Sequence, residues 1–257
     1  MKSPRWLNKL RRHRHRYLSD RFVVARRMGA RLLLDQANAV DNCLLTTGAW
    51  EETRIERLFK LAEARFAGEA PRTFLDIGAH GGFYAIQFAL TAKDSDTIIA
   101  VEPDPQNRAQ LHANLFLNGM TSRVRVCDWA ATDVEGVVRL NIAPERNRGI
   151  SRLDMSGDEA NFGRSSAFRG SIEIAGRRID DALELKGARL IVKIDVEGHE
   201  AKAMDGMRRT LSDNLCVLQV EVTGRNLATL IGLFASLGYE SLGSISGDYY
   251  FSNVAAP

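Results

Sequence analysis

Carboxylates closing successive apolar runs are the residues of this chain best placed to do chemistry. In FLDIGAHGGFYA, residues 74–85, Asp76 stands before Gly78 and Gly82. A backbone without Cβ can turn tightly and let a ligand approach, and the free N–H groups of a following helix face that ligand. The spacing is G-x-x-G-G, not the G-x-G-x-x-G of a dinucleotide site. An acid just before the first glycine repels a pyrophosphate but suits a cation, such as the sulfonium and ammonium groups of S-adenosylmethionine. In IIAVEPDPQN, residues 98–107, Glu102 closes the next run. A carboxylate there can accept two hydrogen bonds from ribose hydroxyls, and Pro103 and Pro105 shape the turn that follows. In VRVCDWAA, Asp128 closes a third run and offers an acceptor to an adenine amino group. A plain turn or a solvated strand end explains any one of these acids, but three in succession are much harder to obtain by chance.

The fourth element is LIVKIDVEGHEAKAMDGM, residues 190–207. Side chains alternate along a strand, so Lys193 and Asp195 share one face. Asp195, Glu197 and Glu200 then crowd the start of a helix, where negative charge is stabilised. Helix capping and a Lys–Asp pair account for this run when it is taken alone. Glu221 closes the following apolar run, LQVEVTG. If those two strands are neighbours, Asp195 and Glu221 bring together two hard oxygen ligands of the kind Mg²⁺ takes. The alternative is that the acids orient ligands without a metal.

The elements that must hold these residues follow from periodicity. Runs of strand length at Thr73–Ile77, Thr97–Val101, Arg123–Cys127, Leu190–Asp195 and Leu215–Val222 alternate with helical segments at 81–93, 105–118, 199–211 and Leu227–Leu237. That alternation predicts an α/β fold, a Rossmann-like doubly wound sheet, mostly parallel with right-handed crossovers. Two short runs around Gly243–Gly247 predict an antiparallel C-terminal hairpin, and Trp50–Phe66 reads as an amphipathic helix against the core. Val137–Ile142 and Ser171–Ala175 bracket a polar segment, 143–170. A loop of that length inside a compact domain is functional or disordered.

The 257 residues suit one such domain, with 45% hydrophobic and 26% charged residues. The net charge of +3 is unevenly placed: residues 1–31 carry eleven Lys and Arg against Asp20 alone, so the remainder is acidic. We therefore divide the chain into a basic N-terminal extension, 1–30, and a main domain, 31–257, with its core at 72–252 and a loop insertion at 143–170. Trp6, Leu10, His13 and Tyr17 recur at helical spacing among the arginines, as in a helix lying on an anionic membrane. Nucleic acid competes for the same charge, but no N/D-P-P-Y/F motif for base methylation is present. Cys43, Cys127 and Cys216 are widely spaced, without a CxxC pair, which predicts a reducing compartment without disulfides. No run of about 18 apolar residues appears, so a cytoplasmic protein, with peripheral membrane contact through residues 1–31, is expected.

Taken in order, Asp76-Ile-Gly-Ala-His-Gly-Gly, Ala-Val-Glu102-Pro and Lys193-Ile-Asp195-Val-Glu197-Gly-His-Glu200 resemble the motifs of FkbM-type methyltransferases. Gly48-Ala-Trp50-Glu51 resembles the family's element upstream of its first core helix. The resemblance spans roughly residues 30–252, and His80 departs from it where the family usually has Asn. It implies a class I methyltransferase fold, S-adenosylmethionine as cofactor, and methyl transfer to oxygen, often on a sugar hydroxyl of a glycan, glycolipid or natural product. Asp76, Gly78, His80, Gly82, Phe83, Glu102, Pro103, Asp128, Trp129 and Asp195 are expected around the cofactor. Trp50, Glu51 and Glu221 are expected around the acceptor, and Lys193, Asp195, Glu197 and His199 at the reacting centre. A hydroxyl needs a base or a metal to become nucleophilic. His199, with an ordinary pKa near neutrality, and an Asp195–Glu221 metal pair are the two candidates. The competing functions are an NAD(P)-dependent oxidoreductase and a nucleic-acid methyltransferase using the basic tail.

Overall fold

The computed structural model describes residues 21–154, 168–222 and 227–255. Its centre is a seven-stranded sheet. Strands β3 (Thr73–Ile77), β4 (Thr97–Val101), β5 (Val124–Cys127), β10 (Arg189–Ile194) and β11 (Leu215–Glu221) run parallel in the order β11-β10-β3-β4-β5. β12 (Glu240–Ile245) and β13 (Asp248–Ser252) close the chain as an antiparallel hairpin, with β13 antiparallel to β11. The mostly parallel sheet and its C-terminal hairpin are those expected from the sequence. The central strands are covered on both faces, which is why they read as unbroken apolar runs.

Alternation along each strand divides the core. Leu75, Ile77, Leu190, Val192 and Ile194 pack on one face with Ala203, Met204, Leu211 and Phe234. Those partners come from α6 (Glu200–Asp205), α7 (Arg208–Ser212) and α8 (Leu227–Ser236). Phe74, Ile98, Ala100 and Ile191 face the other way, against Leu58, Ile86 and Leu111 of α2 (Glu52–Phe66), α3 (Phe83–Ala89) and α4 (Pro105–Leu117). The helix expected over 199–211 is broken into α6 and α7 around Gly206 and Met207. The break lets the Gly206 carbonyl accept from Asp180 N–H (3.0 Å), at the start of α5 (Ile179–Ala182).

The N-terminal boundary differs from expectation. β1 (Phe22–Arg27) and β2 (Ala30–Asp35) form an antiparallel hairpin joined at Met28 and Gly29, so a division at residue 30 would cut one element in two. α1 (Ala39–Thr47) follows, capped by the Asn38 side chain. The free edge of β2 is satisfied by amide side chains spaced four apart on α4. Gln110 donates to Leu33 O (2.8 Å), Asn114 Oδ1 accepts from Leu33 N (2.7 Å), and Asn118 Oδ1 accepts from Arg31 N (2.9 Å). The amides take the place of a neighbouring strand. The helix expected around Trp6–Tyr17 lies outside the described residues.

The insertion is bracketed as expected. β7 (Gly136–Ile142) pairs antiparallel with β9 (Gly170–Arg177) over its whole length, flanked by β6 (Ala130–Ala131) and β8 (Arg152–Leu153) in a second small sheet. Between them, a 3-10 turn at Glu145–Ile150 returns the chain toward the carboxyl ends of the parallel strands.

Candidate active site

A cavity of about 330 Å³ opens at the carboxyl ends of β3, β4, β10 and β11, where ligands of open α/β sheets gather. Its floor includes Gly78, His80, Phe83, Glu102 and Pro103; its far side holds Lys193, Asp195, Glu197, His199 and Glu221. Trp50 and Glu51 line it from the α1–α2 connection, and Asn147–Leu153 of the insertion supplies a wall. Most of the residues expected from the sequence therefore meet in one place.

Glu102 is buried at the end of β4. His80 N–H donates to its Oε2 (2.7 Å) and Asp104 N–H to its Oε1 (2.8 Å). Each oxygen keeps a further lone pair for a ligand hydroxyl. Burial raises its pKa to about 7, opposed by those two N–H bonds. His80 holds its backbone at φ 49, and its ring Nε2 is buried without a hydrogen-bond partner. Burial, with Arg148 and Lys193 nearby, lowers its pKa to about 3, so the ring is neutral.

Lys193 organises the far side. Its ammonium donates to Asp195 Oδ2 (3.1 Å) and to Gly78 O (3.2 Å), and lies over the Tyr84 ring at 5.1 Å. Burial alone would lower its pKa, but the carboxylates of Asp195, Asp76 and Glu51 raise it. Asp195 is held ionised in turn: burial pushes its pKa up, and the Lys193 charge with a hydrogen bond from Glu221 brings it below the ordinary value. Carboxylate oxygens of Asp195, Glu197 and Glu221 lie within 4.8 Å of one another. The crowding raises Glu221, chiefly through the Asp195 charge. Burial followed by Asp195 and Glu200 raises Glu197 to about 8. The Lys193 charge thus favours the ionised form of Asp195, and the crowding pushes Glu197 and Glu221 toward the protonated form. Glu51, His80 and Glu197 all line the cavity with φ between 49 and 55. That region is uncommon for side-chain-bearing residues, and Met28, Ala67 and Ser246 adopt it away from the cavity.

Several expectations are corrected. Asp76 does not line the cavity; it is buried beneath the glycine turn, where Ala85 N–H donates to its Oδ2 (3.1 Å). Gly82 faces the core instead of a ligand, since a Cβ there would stand 2.2 Å from Leu111 Cδ1. Asp128 leaves the edge strand β5 exposed and outside the cavity lining. Trp129 packs in the core with Cys127 and Ala131. Glu200 takes the capping role, its Oε1 accepting from Gly198 N (2.9 Å) and Val196 N (3.3 Å). His199 is buried with Nε2 on Thr132 Oγ1 (3.0 Å), and burial lowers its pKa to about 4, away from the expected neutral range.

Other residues that build the cavity and its wall were not read from the sequence. Tyr84 donates to Glu51 Oε2 (2.9 Å) and accepts from Gln219 (2.8 Å); its place inside the glycine motif was the available signal. Arg148, a buried residue of the insertion's 3-10 turn, forks onto Asp35 (3.1 Å), Asp41 (3.3 Å) and Gln110 (2.5 Å). Ser151 donates to Asp104 Oδ2 (2.7 Å). These bonds fix the cavity wall to the hairpin, α1 and α4.

A Rossmann-like parallel sheet with a glycine turn and strand-end acids around one cavity defines the class I methyltransferase type. Residues 76–241 match the Methyltransferase FkbM domain, and the chain belongs to that family. That family is one of methyltransferases, which supports this reading over the oxidoreductase alternative. Among solved structures, the chain is similar to the methyltransferase FkbM from Methylobacillus flagellatus KT, with 18% identity and a TM-score of 0.49; the match covers 84% of this chain and 53% of that one. The chain thus spans about half the length of that protein. It is also similar to M. jannaschii TYW2 in complex with AdoMet, with 15% identity and a TM-score of 0.43, over 92% of this chain and 85% of that one. No curated protein matches in sequence. Among the described residues, no helix is long and apolar enough to cross a membrane.

Proposed function

We propose that this chain transfers a methyl group from S-adenosylmethionine to a hydroxyl oxygen, on a sugar of a glycan, glycolipid or small natural product. The reading rests on one arrangement: Glu102 at the end of β4 and the Asp195–Glu197–Glu221 trio at the ends of β10 and β11, on either side of β3, line the same cavity. The donor set fits the cofactor. Glu102 retains acceptor capacity for ribose hydroxyls, the unpartnered His80 Nε2 awaits a polar neighbour, and the ionised Asp195 suits a cationic ligand.

The cofactor supplies the activated methyl group. The chain's own work is to bind, orient and take up a proton. Glu102 and the glycine turn hold one end of the cavity. Trp50, Glu51 and the insertion wall cover the other and exclude water. Asp195, kept ionised by Lys193, accepts the hydrogen bond of the acceptor hydroxyl and then its proton as the oxygen becomes nucleophilic, while the Glu221 acid steadies the Asp195 carboxylate by a hydrogen bond. His199 holds the cavity wall through Thr132. The test incubates the protein with methyl-labelled S-adenosylmethionine and glycan or glycolipid extracts. The expected product carries the label in an alkali-stable ether and gains the mass of one CH₂. Label in an ester, an amine or nucleic acid instead would refute the assignment.

A further inference from the structure

We propose that the outer face of the β1–β2 hairpin docks on an anionic membrane surface. In the hairpin register, Val24 stands opposite Leu33 and Arg26 opposite Arg31, so these pairs share one face, and Phe22 continues the stripe. The other face, with Ala30, Leu32 and Leu34, is buried in the core. Phe22 is 50% and Val24 51% exposed. Two further exposed apolar residues lie around the same hairpin. Leu90 (44%) is within 3.5 Å of the position a Cβ on Gly29 would take, and Phe116 (78%) precedes Asn118, whose side chain bonds both backbone groups of Arg31. Half of the large hydrophobic side chains that are exposed among the described residues therefore gather here.

Asp35, opposite Phe22 on this face, is buried and already paired with Arg21 and Arg148, so the exposed charge of the face is unbalanced. Like charges directly opposite on paired strands are destabilising, yet Arg26 and Arg31 face each other and neither forms an ion pair among the described residues. The sequence adds basic residues immediately before the hairpin. An anion is the missing partner. Aliphatic Val24 and Leu90 offer no ring face for a nucleobase to stack on, but with the two phenylalanines they suit the boundary between headgroups and acyl chains, beneath arginines that meet lipid phosphates.

The test mixes the full chain with phosphatidylcholine vesicles and with vesicles that also contain phosphatidylglycerol, and reads the bound fraction by sedimentation. Binding is expected only to the anionic vesicles, weakening as salt rises. Arg26→Glu with Arg31→Glu lowers it at least about tenfold. Phe22→Ser with Val24→Ser also lowers it, at unchanged charge. Cooperative melting of each variant checks its folding; where a pair fails to fold, Arg26→Gln and Val24→Ser alone carry the test. Absence of binding to anionic vesicles overturns the proposal. So does unchanged binding by folded variants, which would place the contact outside the hairpin. Without vesicle binding, loss of self-association in Phe22→Ser with Val24→Ser would give the face to a second copy, and loss of RNA binding in the arginine variants would give it to nucleic acid. Either result overturns the membrane assignment.

Discussion

A Cβ added to Gly78 would stand 1.8 Å from the backbone carbonyl oxygen of Asp195. The glycine turn after β3 and the acidic run after β10 thus touch through their backbones. The parallel register sets this up: Asp76 lies opposite Lys193, and Asp195 N–H donates to Ile77 O (3.0 Å). Gly78 also has φ +80. Its place in the motif is explained by strand-end packing as much as by ligand approach.

Gly78→Ala should therefore cost at least about 3 kcal/mol, combining overpacking against backbone with a left-handed conformation. Urea unfolding measures it. Wild-type stability would mean that the two strand ends do not approach this closely.

Glu102→Ala removes the acceptor on the opposite side of the cavity. Affinity for S-adenosylhomocysteine should fall by about 1–3 kcal/mol, the range for losing a charge-assisted hydrogen bond. Calorimetry at pH 8, above the raised pKa of Glu102 of about 7, keeps the wild-type carboxylate ionised. Equal affinities would remove Glu102 from the cofactor site.

The parallel sheet was legible because strands buried on both faces leave unbroken apolar runs, and strand alternation put Lys193 and Asp195 on one side. What periodicity cannot show is which strand is central. Asp128 closes its run as Glu102 does, but β5 is the edge of the parallel sheet and its last side chain turns to solvent. Nor does it show contacts distant in sequence: Arg148 and Asp35, 113 residues apart, meet only in the fold. The β1–β2 pattern around Met28-Gly29 was present in the sequence, but the surrounding arginines made it read as part of a basic N-terminal extension.

Arg148 tests the cavity wall. It is buried, and its loss would leave Asp41, already raised to about 6 by burial, without its cation, while Asp35 would keep Arg21. Breaking such a buried network by removing one partner costs about 3–5 kcal/mol. Arg148→Ala should show a loss of that order in denaturant unfolding, while Arg146→Ala, exposed two residues away, should stay within about 0.5 kcal/mol of wild type. Equal stability of the two variants would mean that the fork does not hold the insertion in place.

Glu197 tests the acidic trio through pH. Its pKa rises from 4.5 to about 8 on folding. Between those values the folded chain holds a proton that the unfolded chain has released, so stability falls as pH rises across the window, and the loss is complete above it. From pH 7 to 8 the wild type should lose up to about 1 kcal/mol through this group. Glu197→Gln should show a flatter melting-temperature profile. Parallel profiles would place Glu197 in solvent, away from Asp195.

The last prediction separates the roles left at the reacting centre. Asp195→Asn keeps the shape but removes the charge that Lys193 balances, so the variant should fold while kcat falls by about 10²–10⁴, the usual range for a positioned proton acceptor. His199 is neutral well below pH 7 because burial lowers its pKa to about 4; His199→Ala should leave the shape of the rate profile between about pH 6 and 8 unchanged. A metal remains a separate question, because Asp195, Glu197 and Glu221 present hard oxygens close together while Lys193 already supplies positive charge at 3.1 Å from Asp195. If that charge suffices, EDTA leaves turnover unchanged and added Mg²⁺ does nothing. Turnover abolished by EDTA and restored by Mg²⁺ would make Asp195 and Glu221 metal ligands and take the proton-acceptor role from Asp195. Wild-type turnover in Asp195→Asn, with EDTA present, would deny both roles and leave the acidic run to the packing and capping that Gly78 and Glu200 display.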